Sequence, residues 1–81
     1  RYVLDIQQTA RREFRALSPE IARRIVGKLE ILCDDLSGDV KRLTGNNRLT
    51  DLRVGDYRVL FDIVGESLLI QRVLHRSKAY D

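Results

Sequence analysis

Hydrophobic positions along the chain change period near its middle, dividing a helical first half from a stranded second half. Tyr2-Val3-Leu4-Asp5-Ile6 alternates and reads as a short strand. Thr9 is expected to cap a short helix that aligns Ala10, Phe14 and Leu17 and turns Arg11, Arg12 and Arg15 largely to its other sides. Ser18-Pro19-Glu20 is a restart signal: a serine at the N-cap, a proline at the first helical position and an acid in the first turn. Ile21, Ile25, Leu29, Leu32 and Leu36 then recur at spacings of three and four, backed by Ala22, Val26 and Cys33. This predicts a long amphipathic helix ended by Ser37-Gly38-Asp39. The tight joint between the two helices predicts an antiparallel or V-shaped hairpin.

The second half follows the period of strands. Val40 to Leu43 reads as a short extended segment, Gly45-Asn46-Asn47 as a turn and Leu49 to Val54 as a strand. Gly55-Asp56 forms a two-residue loop whose glycine supplies a positive φ. Tyr57 to Val64, rich in aromatic and β-branched residues, is a strong strand. Gly65-Glu66 turns the chain again into a last strand, Ser67 to Arg76. The order β-α-α-β-β-β predicts one α+β domain over residues 1–81, two N-terminal helices packed on a twisted antiparallel sheet.

Composition narrows the class without changing this fold. The 81 residues, 43% hydrophobic and 33% charged, suit a globular domain with one modest core. No apolar run approaches the length of a membrane span, and the charges within Arg1-Tyr2-Val3-Leu4-Asp5 do not suit a secretory signal. Cys33 is the one cysteine, which excludes an internal disulfide and fits a reducing, cytoplasmic setting. The net charge of +3 is concentrated in the second half. Within residues 40–80, Lys41, Arg42, Arg48, Arg53, Arg58, Arg72, Arg76 and Lys78 face only Asp51, Asp56, Asp62 and Glu66. Most of the bases are arginines, whose planar fork suits bidentate phosphate binding. The surface is either a solvated basic face or the docking face for an acidic partner, nucleic acid or protein.

The Gly55-Asp56 loop fixes cross-strand pairs: Val54 opposite Tyr57, Arg53 opposite Arg58 and Asp51 opposite Leu60. One sheet face then holds Thr50, Leu52, Val54, Tyr57, Val59, Phe61 and Ile63, apolar enough to lie under the helices. The other holds Leu49, Asp51, Arg53, Arg58, Leu60 and Asp62. Opposed arginines repel, so this face is either an exposed lattice neutralised by Asp51 and Asp62 or a clamp for phosphate. A two-residue loop at Gly65-Glu66 puts Val73 and His75 on the Arg58 face, whereas a three-residue loop puts Arg72 and Arg76 there. His75, the one histidine, is either a strand-end structural residue or a proton carrier near neutral pH. Tyr80 is either a terminal packing anchor or a residue that stacks on a base and moves a proton.

No glycine-rich phosphate loop is present, and the histidine, cysteine and acids lack the spacing of zinc or calcium sites, so no metal or cofactor is expected. Chemistry on RNA needs none, because its 2′-hydroxyl is a built-in nucleophile requiring a base, a cation at the phosphate and an acid for the leaving oxygen.

Leu52-Arg53-Val54-Gly55-Asp56-Tyr57-Arg58-Val59-Leu60-Phe61, followed by Val73-Leu74-His75-Arg76 and Tyr80, resembles the RelE/ParE superfamily of bacterial and archaeal toxins. Ala10-x-x-x-Phe14-x-x-Leu17 and Val40-Lys41-Arg42-Leu43-x-Gly45 extend the resemblance over nearly the whole chain. It implies two helices against a twisted antiparallel sheet and a RelE-like toxin that cuts mRNA in the ribosomal A site through 2′-hydroxyl attack. In that reading Arg58 and Arg76 hold the scissile phosphate. Tyr80 stacks on the substrate and acts as base, and His75 is an acid or base. Arg53, Lys41, Arg48 and Lys78 bind RNA backbone. Leu49 and Asp51 stand where some RelE proteins carry lysines, and an acid there offsets part of the Arg58 field, leaving catalysis more dependent on His75 and Tyr80. The resemblance also implies a cognate antitoxin, acidic and partly disordered, in a toxin–antitoxin hetero-oligomer. Its ParE-like branch implies instead an inhibitor of DNA gyrase without RNase activity, and a degraded toxin kept as a regulatory partner is a third alternative.

Overall fold

A computed structural model describes residues 1–35, 40–42 and 50–78. In chain order these form strand β1 (Val3–Ile6), helices α1 (Gln8–Arg15) and α2 (Pro19–Asp35), and strands β2 (Val40–Arg42), β3 (Thr50–Val54), β4 (Tyr57–Val64) and β5 (Ser67–His75). The fold is the expected α+β arrangement, with the extended segment at Val40–Arg42 adding a short fifth strand. Strands run in the order β1-β5-β4-β3-β2. All neighbours are antiparallel except β1, which lies parallel to β5 with Val3 opposite Ser67 and Ile6 opposite Ile70. The helices carry the chain from one edge of the sheet to the other, and such a crossover permits the parallel pair.

Amphipathic spacing on α2 becomes core. Ile25, Leu29, Leu32 and Cys33 are fully buried against Leu52, Val59, Phe61, Leu68 and Ile70. Ala10 joins them from α1, while Phe14, Leu17 and Ile21 pack half-buried around them with Tyr2 and with Leu4 and Ile6 of β1. The α2 start follows its signal, with Ser18 Oγ accepting the Ile21 N–H at 3.4 Å. The α1 start corrects the expectation for Thr9, which lies inside the helix. Gln7 is the N-cap: its N–H donates to the Ile70 carbonyl at 2.9 Å, and its own carbonyl accepts from Arg11 at 2.9 Å. The last sheet bond of β1 therefore sets the helix origin without a side-chain cap.

Gly55 and Gly65 lead the two hairpin turns with φ of 59° and 58°. At Gly55 a second constraint applies, because a Cβ would lie 3.3 Å from Nη1 of Arg24, whose guanidinium covers the turn. The Ser37-Gly38-Asp39 helix end, the Gly45-Asn46-Asn47 turn, Arg48, Leu49 and Tyr80 lie outside the described residues.

Cys33 gives the fold a pH signature. Burial pushes its thiol up from the ordinary value, opposed by Arg1 and reinforced by Asp34 and Glu30. As pH rises, the thiol of the unfolded chain ionises first, so the unfolded state binds fewer protons and stability falls. In urea titrations, Cys33→Ala is expected to keep a constant stability difference from the native chain below about pH 8. Above that range the native chain loses stability faster than the variant, until the folded thiol also ionises.

Candidate functional site

The expected pairs of the first hairpin are all present: Val54 with Tyr57, Arg53 with Arg58 and Asp51 with Leu60. Two opposed arginines on one face repel, and the diagonal neighbour relieves this, since Asp51 Oδ2 lies 3.5 Å from Arg58 Nη1. This acid is not part of an exposed lattice. The Asp51 side chain is fully buried and that of Arg58 is 22% exposed, while Asp62 is half-buried. Leu60 is also buried, so the face away from the helices has an interior of its own at this level.

The second hairpin resolves the parity of β5 in an unexpected way. Its loop has two residues, with Val64 opposite Ser67, yet Val73 and His75 do not reach the Arg58 face. Leu60 pairs with Arg72 and Phe61 with Ile70, leaving Gln71 as an extra residue in a β-bulge. Beyond it the parity is reversed: Arg58 faces Leu74, and Tyr57 faces His75 on the helix side of the sheet. The Tyr57 and His75 rings meet edge to face at 5.4 Å. His75 Nδ1 accepts the Ser77 N–H at 3.2 Å and lies 2.9 Å from Ser77 Oγ. A backbone N–H only donates, so the neutral ring carries its hydrogen on Nε2 and presents a donor there.

Arg76 reaches the other arginines through its backbone. Its N–H donates to the Asp56 carbonyl at 2.7 Å, one step beyond the β4–β5 ladder. Arg53, Arg58 and Arg76 thus gather around the Gly55-Asp56 turn, which Arg24 covers from α2. Arg24 has no distinguishing signal in the sequence, since its helix period marks it only as exposed. Lys78 follows nearby, exposed, with its N–H donating to the His75 carbonyl at 2.8 Å. The register sets Lys41 opposite Asp51 in the backbone ladder.

A further residue escapes sequence reading because its partners are 59 and 60 positions away. Glu13 of α1 accepts from Arg72 Nε and Nη2 at 3.1 and 2.8 Å, and from the Val73 N–H at 2.7 Å. The hydrogen bond to Glu13 raises the Arg72 guanidinium further above its ordinary value. Among the described residues, no three His, Cys, Asp or Glu side chains are grouped to hold a metal ion.

This architecture has relatives. The family model for the ParE toxin of type II toxin–antitoxin systems matches residues 4–80. The chain belongs to that toxin family. Toxin RelE3 of Methanocaldococcus jannaschii is 38% identical to it over 48 residues, 59% of this chain and 54% of that protein, so the match spans about half of that relative. The RelBE2 toxin–antitoxin complex from Mycobacterium tuberculosis is similar at a TM-score of 0.82 and 29% identity, covering 93% of this toxin and 98% of that chain. The RelB–RelE antitoxin–toxin complex from Methanococcus jannaschii is similar at 0.79 and 26%, covering 95% of each chain. The protein is therefore a RelE-like toxin of a type II toxin–antitoxin system.

Proposed function

We propose that the toxin is a ribosome-dependent mRNA endoribonuclease acting in the cytoplasm. The observation that carries this reading is the gathering of Arg53, Arg58 and Arg76 around one turn, tied by the Arg76–Asp56 backbone bond. Arg58 and Arg76 hold the scissile phosphate while the 2′-hydroxyl attacks phosphorus and the 5′-oxygen leaves, and their fixed charges act where negative charge develops. A 2′,3′-cyclic phosphate remains. Arg53, Lys78, Lys41 and Arg48 extend the contact along RNA backbone. Tyr80 serves as base. The leaving 5′-oxygen takes its proton from water, because the bulge turns His75 with Tyr57 to the helix side of the sheet, away from Arg58.

A second reading, a ParE-like gyrase inhibitor, is favoured by one observation: the buried Asp51 holds Arg58 at 3.5 Å and offsets its field. The test is to add the toxin to translating ribosomes and map mRNA ends, with a gyrase supercoiling assay in parallel. A-site cuts with unimpaired supercoiling are expected. Blocked supercoiling with intact mRNA would select the second reading.

The partner is a cognate antitoxin. An open groove of about 460 Å³, lined by the apolar Ile6, Phe14 and Val26 with Arg11 and Arg15, suits an acidic amphipathic segment that orders on binding.

A further inference from the structure

We propose that Glu13 is a positioning residue: by holding the bulge of β5 it fixes where Arg76 stands, a role that rests on the endoribonuclease reading. Without the extra residue at Gln71, a two-residue turn at Gly65-Glu66 would put Val73 opposite Arg58 and turn every later side chain to the other face. The bulge is thus the step that sends Arg72 and Leu74, and by the same alternation position 76, to the side of Arg58.

A bulge leaves backbone groups to be satisfied, and past Ile70 the edge of β5 away from β4 has no strand beside it among the described residues. β1 pairs with β5 only as far as Ile70, and the last bond of that edge is Gln7 N–H to the Ile70 carbonyl. Val73 is the N–H that Glu13 captures, at 2.7 Å, in place of a strand partner. The other carboxylate oxygen takes the forked guanidinium of Arg72, the residue next to the extra one. One side chain from α1 therefore clasps both residues that follow Gln71. From Val73 the ladder runs through Leu74 and His75 to the Arg76–Asp56 bond. Loss of the clasp frees the bulge to shift along β5 and loosens that final bond. The Arg76 guanidinium then samples orientations away from the phosphate, a misplacement that costs rate more than binding.

The test compares the native chain with Glu13→Ala and Glu13→Gln, the second of which keeps an oxygen for the Val73 N–H. Amide exchange followed by NMR reads the backbone, and mRNA cleavage on ribosomes reads the site. In Glu13→Ala, exchange at Val73 and Arg76 is expected to rise at least tenfold. The value of kcat is expected to fall at least tenfold with KM for ribosomes within about twofold. Glu13→Gln is expected to restore most of both, which also covers the case in which the alanine variant does not fold. Native protection at Val73 and Arg76 in a folded Glu13→Ala chain would overturn the proposal, as would native kcat in that variant or a Glu13→Gln chain no better than the alanine one. A native chain that leaves mRNA intact would refute the endoribonuclease reading by itself. The exchange measurement would still decide whether Glu13 holds Arg76.

Discussion

Arg76→Ala is expected to lower the rate of mRNA cleavage by about two to three orders of magnitude, with the melting temperature unchanged. The two halves of this expectation have separate origins. What ties residue 76 to the fold is a backbone bond to Asp56, which alanine preserves, and its side chain is exposed. What is lost is a fixed cation beside a phosphate gaining charge in the transition state. Arg76→Lys keeps the charge and loses the planar fork, so partial recovery, about tenfold below the native rate, is expected. Single-turnover cleavage on programmed ribosomes measures the rate, and circular dichroism the melting temperature.

Arg58→Ala is expected to do something Arg76→Ala does not, namely to destabilise the fold by about 3 kcal/mol. The Asp51 carboxylate 3.5 Å away is fully buried, and removing the cation beside it leaves charge in an environment that solvates it poorly. For a domain of this size that corresponds to a fall in Tm on the order of 15 °C. The alanine variant thus confounds stability with chemistry, and a paired substitution separates them. Replacing both partners by apolar residues of similar size, Asp51→Leu with Arg58→Met, is expected to recover most of the stability, as uncharged replacements of buried pairs commonly do. Cleavage is expected to stay lost. Recovery of both would assign Arg58 a purely structural role.

Much of this fold was legible from local pattern. Gly55 and Gly65 occupy turns that need positive φ, Pro19 opens a helix at the position where its missing N–H costs least, and the spacing of Ile25, Leu29 and Leu32 matches the side that becomes core. The arginine pair followed from the length of a single loop. Three features were not legible, each for a physical reason. Asp51 falls on the face that alternation marks as exposed, and its burial depends on tertiary packing that a two-residue period does not encode. The bulge at Gln71 carries no glycine or proline to announce it, yet it decides the faces of Arg72, Leu74 and His75. Glu13 looks like one more charge on a short basic helix until β5 is brought beside it.

The proposed cleavage requires arginines from separate strands to converge on one phosphate during attack by the neighbouring hydroxyl. The most direct measurement is the chemistry of the new end on the upstream mRNA fragment after exposure of translating ribosomes to the toxin. A 2′,3′-cyclic phosphate is expected, formed by the native chain and lost with Arg76→Ala. A 3′-hydroxyl end, or unbroken message, would contradict it.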